Sequence, residues 1–192
     1  MLPHLLPLAG AFALGALILA FPGRTALTPD QRAEVGIAYM KLKLPGAERA
    51  LRAALAAAPA QPRAGLALGM WLTRERRYDE AVAVLEQART AAGPQDLEPA
   101  LALAVAQQLA GRTDAARALF GTLRERHPAD GRAAFNLAML ALKRSDRAEA
   151  RTRLREALGK AGLNERQRRD AGVTLRRLEA APGAEAARPE KK

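Results

Sequence analysis

Residues able to do covalent or metal chemistry are sparse in this chain, and their spacing brings none of them together. The 192 residues include two histidines, His4 and His127, and no cysteine. A zinc site needs three or four ligands at helical or loop offsets, and a nucleophile needs a base within hydrogen-bond reach. His4 stands in or beside an apolar run and His127 just before Pro128, so neither has a companion. The glycines form no phosphate-binding loop at a strand–helix junction. Glu75, Asp79, Glu80 and Glu86 recur at offsets typical of an exposed helix face. The chain therefore reads as noncatalytic, with no cofactor and no metal. Lack of cysteine excludes disulfide and thiolate chemistry and leaves the compartment open.

Charge is the chemistry that remains. The formal net charge is +11, and between Lys143 and Arg177 twelve Lys or Arg stand against five Asp or Glu. Arg166, Arg168, Arg169, Arg176 and Arg177 are its densest part. Anionic lipid headgroups, an acidic protein and a merely solvated face are the competing readings of such a patch. Nucleic acid is disfavoured, because Trp71, Tyr39 and Tyr78 lie elsewhere and leave little to stack on bases.

The elements that must position these residues show as a ladder of small and large apolar residues. Ala47, Ala81, Ala116 and Ala150 are followed four residues on by Leu51, Leu85, Phe120 and Leu154, and three further on by Ala54, Ala88, Leu123 and Ala157. The steps between alanines are 34, 35 and 34 residues. Offsets of four and three keep each triplet on one helix face, where the alanine admits a neighbouring helix and the large residue fills the gap. Units this small cannot bury an apolar face alone and must stack. Cap chemistry at Thr28, Thr113, Asp130 and the pair Asn164/Gln167 marks helix starts. The pattern predicts helices over 29–42, 46–58, 62–75, 78–91, 96–110, 113–126, 130–144, 147–160 and 164–180. The last reads as a solvating cap.

These residues resemble the tetratricopeptide repeat, with its pattern W-x2-L-G-x2-Y, then A-x3-F, then P. The Leu-Gly pair stands as Val35-Gly36, Leu68-Gly69, Leu103-Ala104 and Leu137-Ala138, and the closing residue as Pro59, Gly93, Pro128 and Gly162. The aromatic of the first helix survives only as Tyr39. One residue is missing at Leu44-Pro45-Gly46 and one is added between Gly93 and Pro99. The expected fold class is an all-α helix-turn-helix solenoid of about four repeats plus a capping helix, preceded by an N-terminal transmembrane helix. The expected domains are an anchor at 1–24, the repeat domain at 25–180 and a disordered tail at 181–192.

The resemblance also implies where a partner would lie. In this family the concave wall is built mainly from the first helix of each unit, which places Ile37, Met40, Leu66, Met70, Leu101, Val105, Phe135 and Met139 along a peptide-binding groove. Every methionine but the initiator is in that set, and methionine is an adaptable lining for apolar partners. Packing between helices is the competing reading. Relatives that clamp a carboxyl terminus use Lys and Asn at these places, where this chain has Leu, Met and Val. The expected function is a membrane-tethered, noncatalytic scaffold or assembly factor for a protein partner, offering its groove to a peptide or helix. A permanent structural subunit of a membrane complex, and a periplasmic chaperone-like factor for cytochrome c maturation or secretion, are the alternatives.

From Leu5 to Phe21 no residue is charged. Seventeen helical residues span about 25 Å, and extension to Leu2 approaches the roughly 30 Å of a hydrocarbon core. A cleaved signal peptide would carry a positive amino-terminal region and small residues at its cleavage site, and neither is present. Arg24, Arg32, Lys41 and Lys43 follow the run and none precedes it, which favours a repeat domain on the cytoplasmic face of a bacterial inner membrane. The resemblance to singly anchored periplasmic repeat proteins argues for the other side. The run should stay attached. Intact mass of the protein taken from native membranes tests this, and a mature form starting between Phe21 and Leu27 would reject it.

Overall fold

The computed structural model describes residues 27–180. Among them are α1 (Pro29–Lys41), α2 (Ala47–Ala57), α3 (Pro62–Arg74), α4 (Tyr78–Ala92), α5 (Leu97–Leu109), α6 (Thr113–Arg126), α7 (Arg132–Lys143), α8 (Arg147–Leu158) and α9 (Glu165–Ala180). Each expected helix is present, its ends within two residues of expectation. The anchor expected at 1–24 and the tail at 181–192 lie outside the described residues. Among the described residues no helix is long and apolar enough to cross a membrane.

The helices gather into two compact units that divide between Pro94 and Gln95. The division falls in the linker that carries the extra residue, where Gly93 adopts φ 84° and Pro94 cannot continue α4. In the first unit α1 pairs with α2 and α3 with α4; in the second α5 pairs with α6 and α7 with α8, and α9 covers α8.

The ladder sets the spacing within each pair, and all twelve of its residues are buried. A Cβ on Gly36 would sit 2.6 Å from Leu51 Cγ, and one on Gly69 would overlap the Leu85 side chain. Ala104 shares one core cluster with Phe120, and Ala138 shares the next with Leu154. Each such leucine or phenylalanine contributes roughly 1.5–3 kcal/mol by burial.

Every first helix then closes with the same backbone device. Leu44 N donates to Tyr39 O at 2.9 Å and Lys43 N to Met40 O at 3.2 Å. The paired bonds recur from Arg77 and Arg76 to Leu72 and Thr73, from Arg112 and Gly111 to Gln107 and Gln108, and from Asp146 and Ser145 to Ala141 and Leu142. This is the Schellman arrangement, and it requires a left-handed residue after the helix. Lys43, Arg76, Gly111 and Ser145 take that role, with φ of 55°, 62°, 81° and 62°.

The missing residue in the first repeat is absorbed at the start of α2. Ala81, Ala116 and Ala150 are each the fourth residue of their helices, whereas Ala47 is the first. Residues 42–46 therefore bridge α1 and α2, while three residues suffice at 75–77, 110–112 and 144–146.

Thr28 and Gln31 form a reciprocal capping box, as do Asn164 and Gln167, and Asp130 accepts from Arg132 N at 2.8 Å. Thr113 does not cap: it is already the first helical residue, and its hydroxyl faces the Gly111 carbonyl. Asp96 and Asp146 cap α5 and α8 instead.

An L-residue in the left-handed region costs roughly 1–2 kcal/mol, offset in part by the extra freedom glycine has when unfolded. Arg76→Gly and Ser145→Gly should each raise stability by about 0.5–1 kcal/mol, and Gly111→Ala should lower it by about 1 kcal/mol. Urea denaturation of the three variants checks both signs. A loss from either glycine substitution would remove the strain argument.

Candidate functional site

The open face of each first helix is what remains after its neighbours have packed. On α3, Ala64, Gly65, Ala67, Leu68, Gly69 and Leu72 are buried, which leaves Leu66 half-buried and Met70 50% exposed. Thr73 shares that face but turns its hydroxyl back to the Gly69 carbonyl at 2.8 Å. Beside Met70, the Arg74 guanidinium lies 4.7 Å from the centre of the Trp71 ring, a cation–π contact that holds both groups at the edge of the open face. On α1, Ile37 and Met40 are half-buried.

The second unit encloses its first helices more fully. Ala133, Leu137 and Leu140 of α7 join the core shared with α5 and α6, while Ala134, Phe135, Ala138 and Ala141 join the core shared with α8 and α9. Phe135 is thus buried, and Leu101 is buried in the α5–α7 core. Neither offers a wet surface to a peptide, contrary to the sequence expectation. Val105 and Met139 are half-buried and lean against these two cores.

Aligned by the repeat, the eight expected groove residues separate into rows. Leu66, Leu101 and Phe135 occupy the same position as Ala33; Leu101 and Phe135 are buried in the cores, and Leu66 stays half-buried. Ile37, Met70, Val105 and Met139 share the position that keeps some surface. One turn further on stand Lys41, Arg74, Leu109 and Lys143, all exposed. The charged members of this last row were not among the expected groove residues. The spacings of 33, 35 and 34 that locate the ladder also locate them.

Arginines tie successive repeats together at the ends of the helices. Arg132 donates two bonds to Glu98, at 2.7 and 3.1 Å, and further bonds to Asp130 at 2.9–3.1 Å. Burial opposes charge on Asp130, but the side-chain and backbone N–H groups of Arg132 outweigh it and hold the carboxyl below the ordinary aspartate value. The clasp therefore supports folding above the ordinary aspartate range and weakens as pH falls through the lowered value. In the first unit Arg77 donates to Glu48 and Glu80, and Arg52 bridges the same two carboxylates. Among the described residues no group of three His, Cys, Asp or Glu side chains is placed to hold a metal ion. His127 is half-buried in the turn before α7, far in sequence from His4, which lies outside the described residues.

The five arginines of the basic patch are all exposed on α9. Arg168 is turned to the end of α8, donating to the carbonyls of Leu158 and Lys160 at 3.1 and 3.2 Å. Arg166 lies 3.8 Å from Asp170. By helical spacing, Arg166, Arg169, Arg176 and Arg177 surround the exposed Val173 on the face opposite the buried Ala171 and Leu178.

Residues 72–137 match the tetratricopeptide repeat family. A point mutant of MamA is 25% identical, with 78% of this chain and 87% of that chain covered and a TM-score of 0.61. The structure described as the functional characterization of Pseudomonas aeruginosa pilF is 20% identical, with 82% of this chain and 78% of that one covered and a TM-score of 0.64. The Cut9–Hcn1 hetero-tetramer of the APC/C is 18% identical, covering 91% of this chain and 34% of the other, with a TM-score of 0.72. The last two likenesses are of fold. No curated protein sequence matches the chain. The described residues thus have an all-α, tetratricopeptide-like fold, an architecture that generally serves as a noncatalytic scaffold for protein partners.

Because Met70 is wet and Met139 leans on a core, the same substitution should act differently on them. Met70→Gln should change denaturation stability by less than about 0.5 kcal/mol, and Met139→Gln should lower it by about 1 kcal/mol or more. Equal losses would mean that Met70 is packed.

Proposed function

We propose that this chain is a membrane-tethered, noncatalytic scaffold that receives an apolar segment of a protein partner on the open faces of its first helices. The exposure of Met70, on a helix that buries Ala64, Gly65, Ala67, Leu68, Gly69 and Leu72, is the observation that carries the reading. A long, flexible and polarizable side chain standing in water between Leu66 and the Trp71–Arg74 pair suits an apolar contact that is made and broken. Lys41 beside Ile37 and Arg74 beside Met70 favour a partner whose apolar anchors are followed by carboxylates. Val105 and Met139 offer smaller contacts of the same kind in the second unit.

Two or three well-seated anchors contribute roughly 1.5–3 kcal/mol each before the cost of ordering the peptide, enough for micromolar binding. The amino-terminal apolar run would hold the scaffold at the membrane and raise its concentration near a membrane-bound partner. The distribution of Lys and Arg around that run favours the cytoplasmic face.

Crosslinking and pull-down from native membranes should recover a partner with the wild-type chain and at least tenfold less of it with Met70→Gln, at equal stability. Undiminished recovery would move the binding surface away from α3. A partner recovered at fixed stoichiometry through every purification step would identify a structural subunit instead of a transient factor.

A further inference from the structure

The α1–α2 turn differs chemically from its three counterparts although the backbone builds all four the same way. In the other turns the three residues that follow the first helix are Glu75-Arg76-Arg77, Ala110-Gly111-Arg112 and Arg144-Ser145-Asp146. In the first they are Leu42-Lys43-Leu44, extended by Pro45 and Gly46 before α2 begins. Leu42 is 44% exposed, Leu44 41% and Tyr39, one turn back, 38%. A Schellman turn gains from one apolar pair at its last residue and the third from the helix end, which is a reason for Leu44 and Tyr39 to be apolar. It does not require Leu42, and the sibling turns close without any of the three.

Two further features bear on what covers this tip. Lys41 and Lys43 alternate with the leucines, and the Arg49 guanidinium and Tyr39 ring both lie within 4 Å of the position a Gly46 Cβ would take. Three cations, Lys41, Lys43 and Arg49, therefore stand on or beside the turn that carries the apolar side chains. The backbone donors are also already satisfied: Leu42, Lys43 and Leu44 donate to Ala38, Met40 and Tyr39, and Pro45 has no N–H. A loop with free amide donors resists entry into a nonpolar medium, and this one presents none at 42–45. Lysines can keep their ammonium groups at the headgroup level while leucines dip below it.

We infer that the α1–α2 turn, residues 39–46, is an interfacial contact that dips Leu42, Leu44 and Tyr39 into an anionic lipid surface. It extends the membrane reading given above, yet it does not require the amino-terminal tether to be correct.

The chain has no cysteine, so a single substitution gives one labelling site. Leu42→Cys, Leu44→Cys and, as a control on exposed α4 surface, Thr90→Cys in the full-length chain would carry a fluorophore open to an aqueous quencher. The vesicles would be phosphatidylcholine alone, or equal parts phosphatidylcholine and phosphatidylglycerol. Labels at 42 and 44 should be quenched about fivefold less with the anionic vesicles, with no change at 90, and Lys41→Glu with Lys43→Glu should cancel the effect. Equal quenching at all three positions in anionic vesicles would overturn the inference. So would protection without vesicles, which would assign the tip to a second copy or another segment of this chain. Protection that survives the lysine substitutions or appears equally on neutral vesicles would also overturn it. Flotation with neutral vesicles reports the tether separately. A chain that does not float there but protects its tip on anionic vesicles loses the tether and keeps the interfacial turn; one that floats with a wet tip does the reverse.

Discussion

The contact on which the rest of the structure depends is a large side chain of each second helix seated on a residue without bulk in the first. Leu51 on Gly36, Leu85 on Gly69, Phe120 with Ala104 and Leu154 with Ala138 make it in the four repeats. A methyl group added at Gly36 or Gly69 would collide with the leucine opposite, so the two helix axes can be this close only with glycine there. Close axes leave no space for a loose connection, and the chain must reverse within a few residues. The tight turn after each first helix follows from that, and so does the acceptance of Lys43, Arg76 and Ser145 in a backbone conformation that glycine would occupy at less cost. Local strain persists because the packing on either side fixes both helix ends.

Close pairing also decides which surface is left for anything else. α7 buries one side against α5 and α6 and another against α8 and α9, so only a narrow stripe through Asn136 and Met139 keeps contact with water. The Arg132 clasp lies at the start of α7, at one end of that stripe. Arg132 joins Glu98, thirty-four positions earlier, at the same point of the preceding first helix. Exposed ion pairs of this kind add little stability singly. The geometric effect of the Arg132–Glu98 pair is to hold α7 in register with α5, which is the condition for a row of side chains on those two helices to face a partner together.

The sequence made each ladder triplet, the described helices, the cap at Thr28 and the Asn164/Gln167 capping box legible because each depends on residues within about a dozen positions of one another. It did not resolve which row of each first helix stays wet. Leu66 and Met70 are four residues apart, and so are Leu101 and Val105, and Phe135 and Met139; both members of each pair satisfy the same helical period. In the second unit the difference arises from the neighbouring helices, which bury Leu101 and Phe135 in two cores and leave Val105 and Met139 half-buried, and periodicity within a helix carries no information about those neighbours. The left-handed residues were hidden for another reason. Three of the four are not glycine, and the backbone role of Lys43, Arg76 and Ser145 shows only once their spacing is aligned with Gly111.

A repeat protein supplies its own controls, since one local problem is solved several times in the same chain. Where all four solutions agree, as in the buried ladder and the double hydrogen bond that ends each first helix, the common element is what the architecture demands. Where one solution departs, the architecture does not explain it. Arg77, Arg112 and Asp146 occupy the last position of their turns and also precede the first residue of the second helix, serving both elements. Leu44 serves only the first, because Pro45 and Gly46 separate it from α2. That turn is freed from the geometric duty its siblings carry, and freedom from such duty is what allows leucines to stand in water there at no cost to the stack. The same logic sets Met70 apart from Met139. They hold equivalent places, so the difference in their exposure measures what surrounds them, and only the residue left open by its surroundings has a side chain to spare for a partner.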